Sequence, residues 1–108
     1  MTLRHITFLE ADQHLDWLDL TVALEQGHLL PKAHMQDVVL QRGTDTVLSR
    51  HAWIDGLGLL VKTATVFPNN EARFTQPNIN GLTTLYSDQT GIAEAILDFN
   101  LVTKWKTA

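Results

Sequence analysis

The stretch Val61-Lys62-Thr63-Ala64-Thr65-Val66-Phe67-Pro68-Asn69-Asn70 decides how this chain is read. It completes an apolar run from Leu57 to Phe67 that is rich in β-branched and aromatic residues, the composition of a strand on a pleated, half-buried surface. Pro68 stops that strand because it has no N–H to give to a ladder. The segment Pro68 to Pro77 is the one long connection in the sequence, about ten residues, and loops of that length in compact domains often carry function.

Outward from this stretch the same β-type pattern recurs at Asp37 to Arg42, Thr46 to Ile54, Ile79 to Ser87 and Ile92 to Phe99. The separators Arg42-Gly43-Thr44-Asp45, Asp55-Gly56 and Asp88-Gln89-Thr90-Gly91 have the Gly and Asp content of tight turns between antiparallel neighbours. A meander of five strands follows, with Asp55-Gly56 as the strongest two-residue hairpin signal because Gly tolerates positive φ. Towards the N-terminus, Ile6 to Leu9 reads as a short strand and Glu10-Ala11-Asp12 as a turn. Leu15, Leu18, Val22 and Trp17, Leu20, Leu24 then recur at helical spacing. Asp16 suits the N-cap of that helix, Gly27 a left-handed C-terminal residue, and Pro31 prevents resumption. The expected fold class is α+β: an N-terminal helix of about three turns packed on a mostly antiparallel sheet of about five to six strands. Residues 1–108 fit a single domain.

Composition narrows the function classes. The chain is 44% hydrophobic and 19% charged, as ordinary globular domains are, with a net charge of −4 and only eight Lys plus Arg. That balance argues against a phosphate-tracking surface, so nucleic acid is not an expected partner. No segment approaches the roughly 20 apolar residues of a membrane span, and the first residues lack a signal-peptide core, so the expected location is the cytoplasm. With no cysteine, thiolate metal sites and thiol nucleophiles are excluded. The five histidines, at 5, 14, 28, 34 and 51, have no compact ligand spacing, and no metal is expected. Gly56-Leu57-Gly58 lacks the third glycine and the strand-to-helix setting of a dinucleotide fingerprint and reads as a turn. Trp17, Trp53 and Trp105 fit packing in a core or subunit interface.

Several residues carry potential chemistry. Lys62 lies inside an apolar strand, so its ammonium either snorkels to water over the sheet or faces a cavity. Arg42, immediately before Gly43, reads by itself as a surface arginine at a turn. Lys106 is the third residue from the end, where chains tend to fray. Asn70 suits the capping of the turn after Pro68.

The order of these motifs closely resembles the ornithine cyclodeaminase/mu-crystallin family. There a "GVK-x-V-TVFP-x-N" strand is followed by a hairpin with an "ETG"-type turn and an "LT-x-x-R-T-A-A" helix start that leads into a dinucleotide-binding domain. This chain carries VKTATVFPNN at 61–70, DQTG at 88–91 and LVTKWKTA at 101–108. The match covers about 50 contiguous residues, with a weaker extension towards the N-terminus.

The resemblance implies a substrate-binding and dimerisation domain, with the dinucleotide-binding domain absent from these residues. Lys62 falls on the family lysine that contacts the substrate carboxylate. Arg42 is the positional match for an arginine that clamps the same group, a task a guanidinium fork performs better than an ammonium. Asn78 aligns with a small polar residue near the substrate. Lys106 replaces the usual arginine of "R-T-A", where a helix start would add its dipole to an anion site. Ser49-Arg50-His51-Ala52-Trp53 departs from the family's usual "L-M-P-A", which leaves Arg50 or His51 to point into the pocket and read a different side chain.

The implied parent is a homodimeric NAD(P)-dependent enzyme transferring hydride at the Cα of ornithine, with cyclisation to proline, or at a cyclic imino acid. These residues alone are expected neither to bind the cofactor nor to turn over. The alternative is a non-catalytic module that binds a small carboxylate or oligomerises.

Overall fold

The computed structural model describes residues 3–12, 17–27 and 29–98. Its frame is a six-stranded sheet: β1 (Arg4–Ile6), β2 (His34–Arg42), β3 (Asp45–Ile54), β4 (Gly58–Val66), β5 (Ile79–Tyr86) and β6 (Ala93–Asp98). The spatial order is β1-β6-β5-β4-β3-β2. β2 to β6 form the expected antiparallel meander, and β1 joins β6 in parallel through Arg4↔Ala95 and Ile6↔Leu97. A hydrogen bond of 2.7 Å between His5 Nε2 and Asp98 Oδ1 ties that added strand to the meander. Helices occupy Phe8–Asp12 (α1), Trp17–Gly27 (α2) and Asn70–Phe74 (α3).

The outcome corrects three local readings. The first strand lies at Arg4–Ile6, and Phe8–Asp12 is helical where a strand ending at Leu9 and a turn were expected. Gly27 closes α2 inside its last turn and is not among the positive-φ glycines. The expected N-cap, Asp16, lies outside the described residues.

Both hairpin loops differ in length from expectation. Arg42 pairs with Asp45, so Gly43-Thr44 is the two-residue turn, with Gly43 at φ 61° in the first central position as a type II′ turn requires. Ile54 pairs with Gly58, so Asp55-Gly56-Leu57 is a three-residue loop closed by Leu57 N–H on the Ile54 carbonyl at 3.0 Å. Gly58, at φ 147°, lies against β5: a Cβ there would come 3.0 Å from the Tyr86 carbonyl oxygen, beside the bulge at Leu85/Tyr86.

Little of this sheet is shielded from solvent. Among the described residues only Ala95 and Thr83 are buried, while Val38, Val39, Leu40, Trp53 and Leu82 are exposed. The accessible surface is 8062 Å², against roughly 6,000 Å² for a compact monomer of this length. The radius of gyration, 15.5 Å, likewise exceeds the roughly 13 Å of a compact chain of this size.

Candidate functional site

Side chains at i and i+2 of a strand share a face, and direct cross-strand partners face the same way. The register therefore places Asp37, Arg50, Lys62 and Thr83 in one row across β2, β3, β4 and β5. On that face the row on one side holds Met35, Ala52, Leu60 and Leu85, and the row on the other Val39, Leu48, Ala64 and Gly81. One polar row thus runs between two apolar rows.

Arg50 is fixed within this row. Its Nε and Nη2 both donate to Asp37, to Oδ1 and Oδ2, at 2.8 Å each, the bidentate geometry of a fork on a carboxylate. The hydrogen bonds from Arg50 hold the Asp37 carboxyl below its ordinary range and keep the guanidinium charged in turn. Lys62 is half-buried in β4 between Arg50 and Thr83. Thr83 is wholly buried, and its Oγ1 has no hydrogen-bond partner. A cavity of about 360 Å³ lies next along the face, its wall including Ala52, Leu60 and Leu85, the same-face neighbours of Arg50, Lys62 and Thr83, together with Tyr86 and Glu94.

The structure does not bring Arg42 to this place. It ends β2 five residues beyond Asp37, roughly 17 Å along the strand, and alternation puts it on the opposite face. Its side chain is 84% exposed, with Nη2 3.7 Å from Asp45 Oδ2. Asn78 precedes β5 at the same end of the sheet, where its Oδ1 accepts the Glu71 N–H at 2.8 Å and so caps α3. Asn70 donates from Nδ2 to the Pro77 carbonyl at 3.2 Å, bracing the loop as a turn residue would. Lys106 and Trp105 lie outside the described residues. His51 lies on the face opposite Lys62, with Nε2 3.5 Å from Ser49 Oγ.

Gly56-Leu57-Gly58 connects β3 to β4 and is followed by a strand, not by a helix whose N-terminus could receive a pyrophosphate. Among the described residues no group of three His, Cys, Asp or Glu side chains could hold a metal. No described helix is long and apolar enough to cross a membrane.

Sequence reasoning missed Thr83 and Asp88. Thr83 reads as an ordinary β-former in Ile79-Asn80-Gly81-Leu82-Thr83-Thr84, and only the register reveals that it faces Lys62. Asp88 binds the β3–β4 loop from a turn 35 residues away, accepting Trp53 Nε1–H at 2.7 Å and Gly56 N–H at 2.9 Å.

A six-stranded sheet of this kind occurs in nucleotide-linked and cyclodeaminase-type amino acid enzymes. An archaeal alanine dehydrogenase, solved as a dimer with bound NAD, shares the fold at a TM-score of 0.80 and 23% identity, covering 99% of this chain and 34% of that one. A probable ornithine cyclodeaminase from Bordetella pertussis Tohama I shares it at a TM-score of 0.69 and 18% identity, over 98% of this chain and 33% of that one. In sequence the chain is 44% identical over 103 residues to the Delta(1)-pyrroline-2-carboxylate reductase of Paracoccus denitrificans (strain Pd 1222). That match takes in 95% of this chain and 32% of the relative, so the chain spans about a third of the curated relative's length. No family model matches the chain. The resemblance to ornithine cyclodeaminase-type proteins therefore stands, and it covers part of such proteins.

Proposed function

We propose that these 108 residues are the substrate-binding and dimerisation domain of an NAD(P)-dependent enzyme that reduces a cyclic imino acid of the Δ1-pyrroline-2-carboxylate type or cyclodeaminates ornithine. The observation that carries this is the 44% identity to a pyrroline-2-carboxylate reductase across 95% of the chain. The polar row supports it, since it places the half-buried Lys62 next along the face from Leu60, Ala52 and Leu85, which line the cavity together with Glu94.

In this reading the cofactor supplies the hydride and binds outside these residues, and Lys62 holds the substrate carboxylate against it. Lys106 adds a second cation near the same group, and Asn78 braces the β4–β5 loop at the end of the sheet away from the cavity. Holding the carboxylate fixes the reacting carbon, which is the positional contribution a binding domain makes to catalysis. The exposed apolar residues of β2, Val38, Val39 and Leu40, meet a second copy in a homodimer in the cytoplasm. The alternative of a non-catalytic module draws no support from the relatives, which are enzymes by name.

The test is an assay of the complete protein containing these residues, with NADH and NADPH, on Δ1-pyrroline-2-carboxylate, and with NAD on ornithine. Reduction of the imino acid or ammonia release from ornithine is the expected result. A folded, cofactor-binding protein inert on both substrates would sink the reading.

A further inference from the structure

The 360 Å³ cavity lies outside the polar row: none of Asp37, Arg50, Lys62 and Thr83 lines it. Its wall includes hydrocarbon from Ala52, Ile54, Leu57, Leu60 and Leu85, and Glu94 is the one charged residue among those that line it. Glu94 is there because β6 bulges. Leu85 pairs with Ala95 and Tyr86 with Ala93, so a single step along β5 meets a double step along β6, and Glu94 is the extra residue. Regular alternation counted back from Ala95 would set Glu94 on the face away from Leu85. The bulge breaks that alternation, and Glu94 joins Leu60 and Leu85 around the cavity. Bulges recur beside ligand sites because they re-aim a side chain in this way.

The surroundings of Glu94 are fixed in advance. Leu57 reaches the cavity from the β3–β4 loop, which is closed by its own N–H on the Ile54 carbonyl at 3.0 Å and pinned by the Gly56 N–H on Asp88 Oδ2 at 2.9 Å. Asp88, which shares an adjoining cleft with Glu94, is therefore committed: its other oxygen accepts Trp53 Nε1–H at 2.7 Å. Among the described residues, no hydrogen bond or ion pair engages Glu94. Its carboxylate is the acceptor that this end of the sheet leaves open.

We propose that this cavity is an amine site, taking a ligand with one apolar ring or a short hydrocarbon body and a single ammonium. The body lies against Ala52, Leu60 and Leu85, and the ammonium donates to the Glu94 carboxylate, a charge-assisted hydrogen bond. A volume of about 360 Å³ suits a ligand of that size, toward the lower end of small-molecule pockets. The hydrocarbon wall disfavours a multiply charged ligand, which would lose its water without gaining partners, and the carboxylate repels an anion. The site stands apart from the carboxylate reading of Lys62, since it needs neither a carboxylate on the ligand nor a nicotinamide cofactor.

The experiment titrates the 108-residue chain with benzylamine and with benzyl alcohol, its uncharged counterpart, followed by amide chemical shifts, in the wild type and in Glu94→Gln and Ala52→Leu. The wild type is expected to bind benzylamine with a roughly millimolar Kd, as a small fragment does, with shifts centred on Leu60, Leu85 and Glu94. Benzyl alcohol is expected to bind roughly 10-fold more weakly, the equivalent of one hydrogen bond between charged groups at an exposed lip. Glu94→Gln is expected to bring benzylamine down to the level of the alcohol while leaving the alcohol unchanged. Ala52→Leu, which fills the cavity from its wall and leaves Glu94 in place, is expected to weaken both. Equal affinity of the wild type for amine and alcohol, amine binding untouched in Glu94→Gln, or no binding at all would overturn the inference. Each of those results leaves the proposed reaction standing, because that is tested by turnover of the imino acid and ornithine.

Discussion

Lys62 and Thr83 face each other across β4 and β5, one an ammonium in a half-buried strand and the other a wholly buried hydroxyl without a partner. Replacing Lys62 with Met keeps the length and apolar stem of the side chain while removing its charge. Affinity for pyrrole-2-carboxylate should fall roughly 30-fold or more, as when one partner of a buried charged contact is truncated. Calorimetric titration checks this, with far-UV circular dichroism showing that the sheet persists.

Arg42→Ala should leave that affinity unchanged. The guanidinium is 84% exposed, contacts Asp45 at 3.7 Å, and lies on the face opposite Lys62. An exposed ion pair of this geometry contributes about 0–1 kcal/mol, so the melting midpoint should barely move. A large loss of affinity in this variant would show that the β2–β3 hairpin folds over the site when ligand is present.

Asn78 separates a capping role from a binding role. Its Oδ1 accepts the Glu71 N–H at the start of α3, so Asn78→Ala should destabilise the loop by about 1 kcal/mol and speed amide exchange at Glu71. Asn78→Asp keeps the acceptor and puts negative charge at a helix start, so the loop should stay protected. If Asn78 borders the substrate carboxylate, the same variant should weaken carboxylate binding by repulsion. Exchange rates and affinity measured side by side distinguish the two.

Much of this was legible before any coordinates. The five strands of the meander fell within a few residues of their observed bounds, because β-branched runs and Gly-Asp turns are local signals. The helical stretch near Trp17 was legible from its spacing. The parallel addition of β1 beside β6 was not, since it is a contact across some 90 residues with no turn to announce it. The site was half legible. Lys62 stood out as a charge in an apolar strand, whereas Thr83 carries no such contrast, and choosing between Arg42 and Arg50 requires the register. A shift of one residue would exchange the faces of a whole strand, and sequence spacing alone does not fix that parity.

Gly58→Ala tests the close approach of β4 to β5. The added Cβ would come 3.0 Å from the Tyr86 carbonyl oxygen, and φ 147° is a conformation that side chains other than glycine rarely adopt. The two penalties together should cost about 1–3 kcal/mol, or the bulge at Leu85/Tyr86 should shift register to relieve them. Thermal melting measures the first, and cross-strand nuclear Overhauser contacts between Leu59 and Tyr86 report the second.

Asp88→Asn removes the charge that ties two turns together. The carboxylate accepts Trp53 Nε1–H and Gly56 N–H, and these hydrogen bonds hold the Asp88 carboxyl below its ordinary range, the Trp53 bond contributing most. A carboxyl depressed in the folded state contributes stability that is fully present above its unfolded pKa and disappears as pH falls through the folded one. At neutral pH the variant should therefore melt below the wild type, since an amide nitrogen cannot accept from Gly56. The gap should narrow steadily as the pH is lowered through and below the ordinary carboxylate range, where the wild type loses the same charge. Paired melting curves across that acid range check the sign: a gap independent of pH would mean that Asp88 acts through shape alone and that its charge does not hold the β3–β4 loop against the β5–β6 turn.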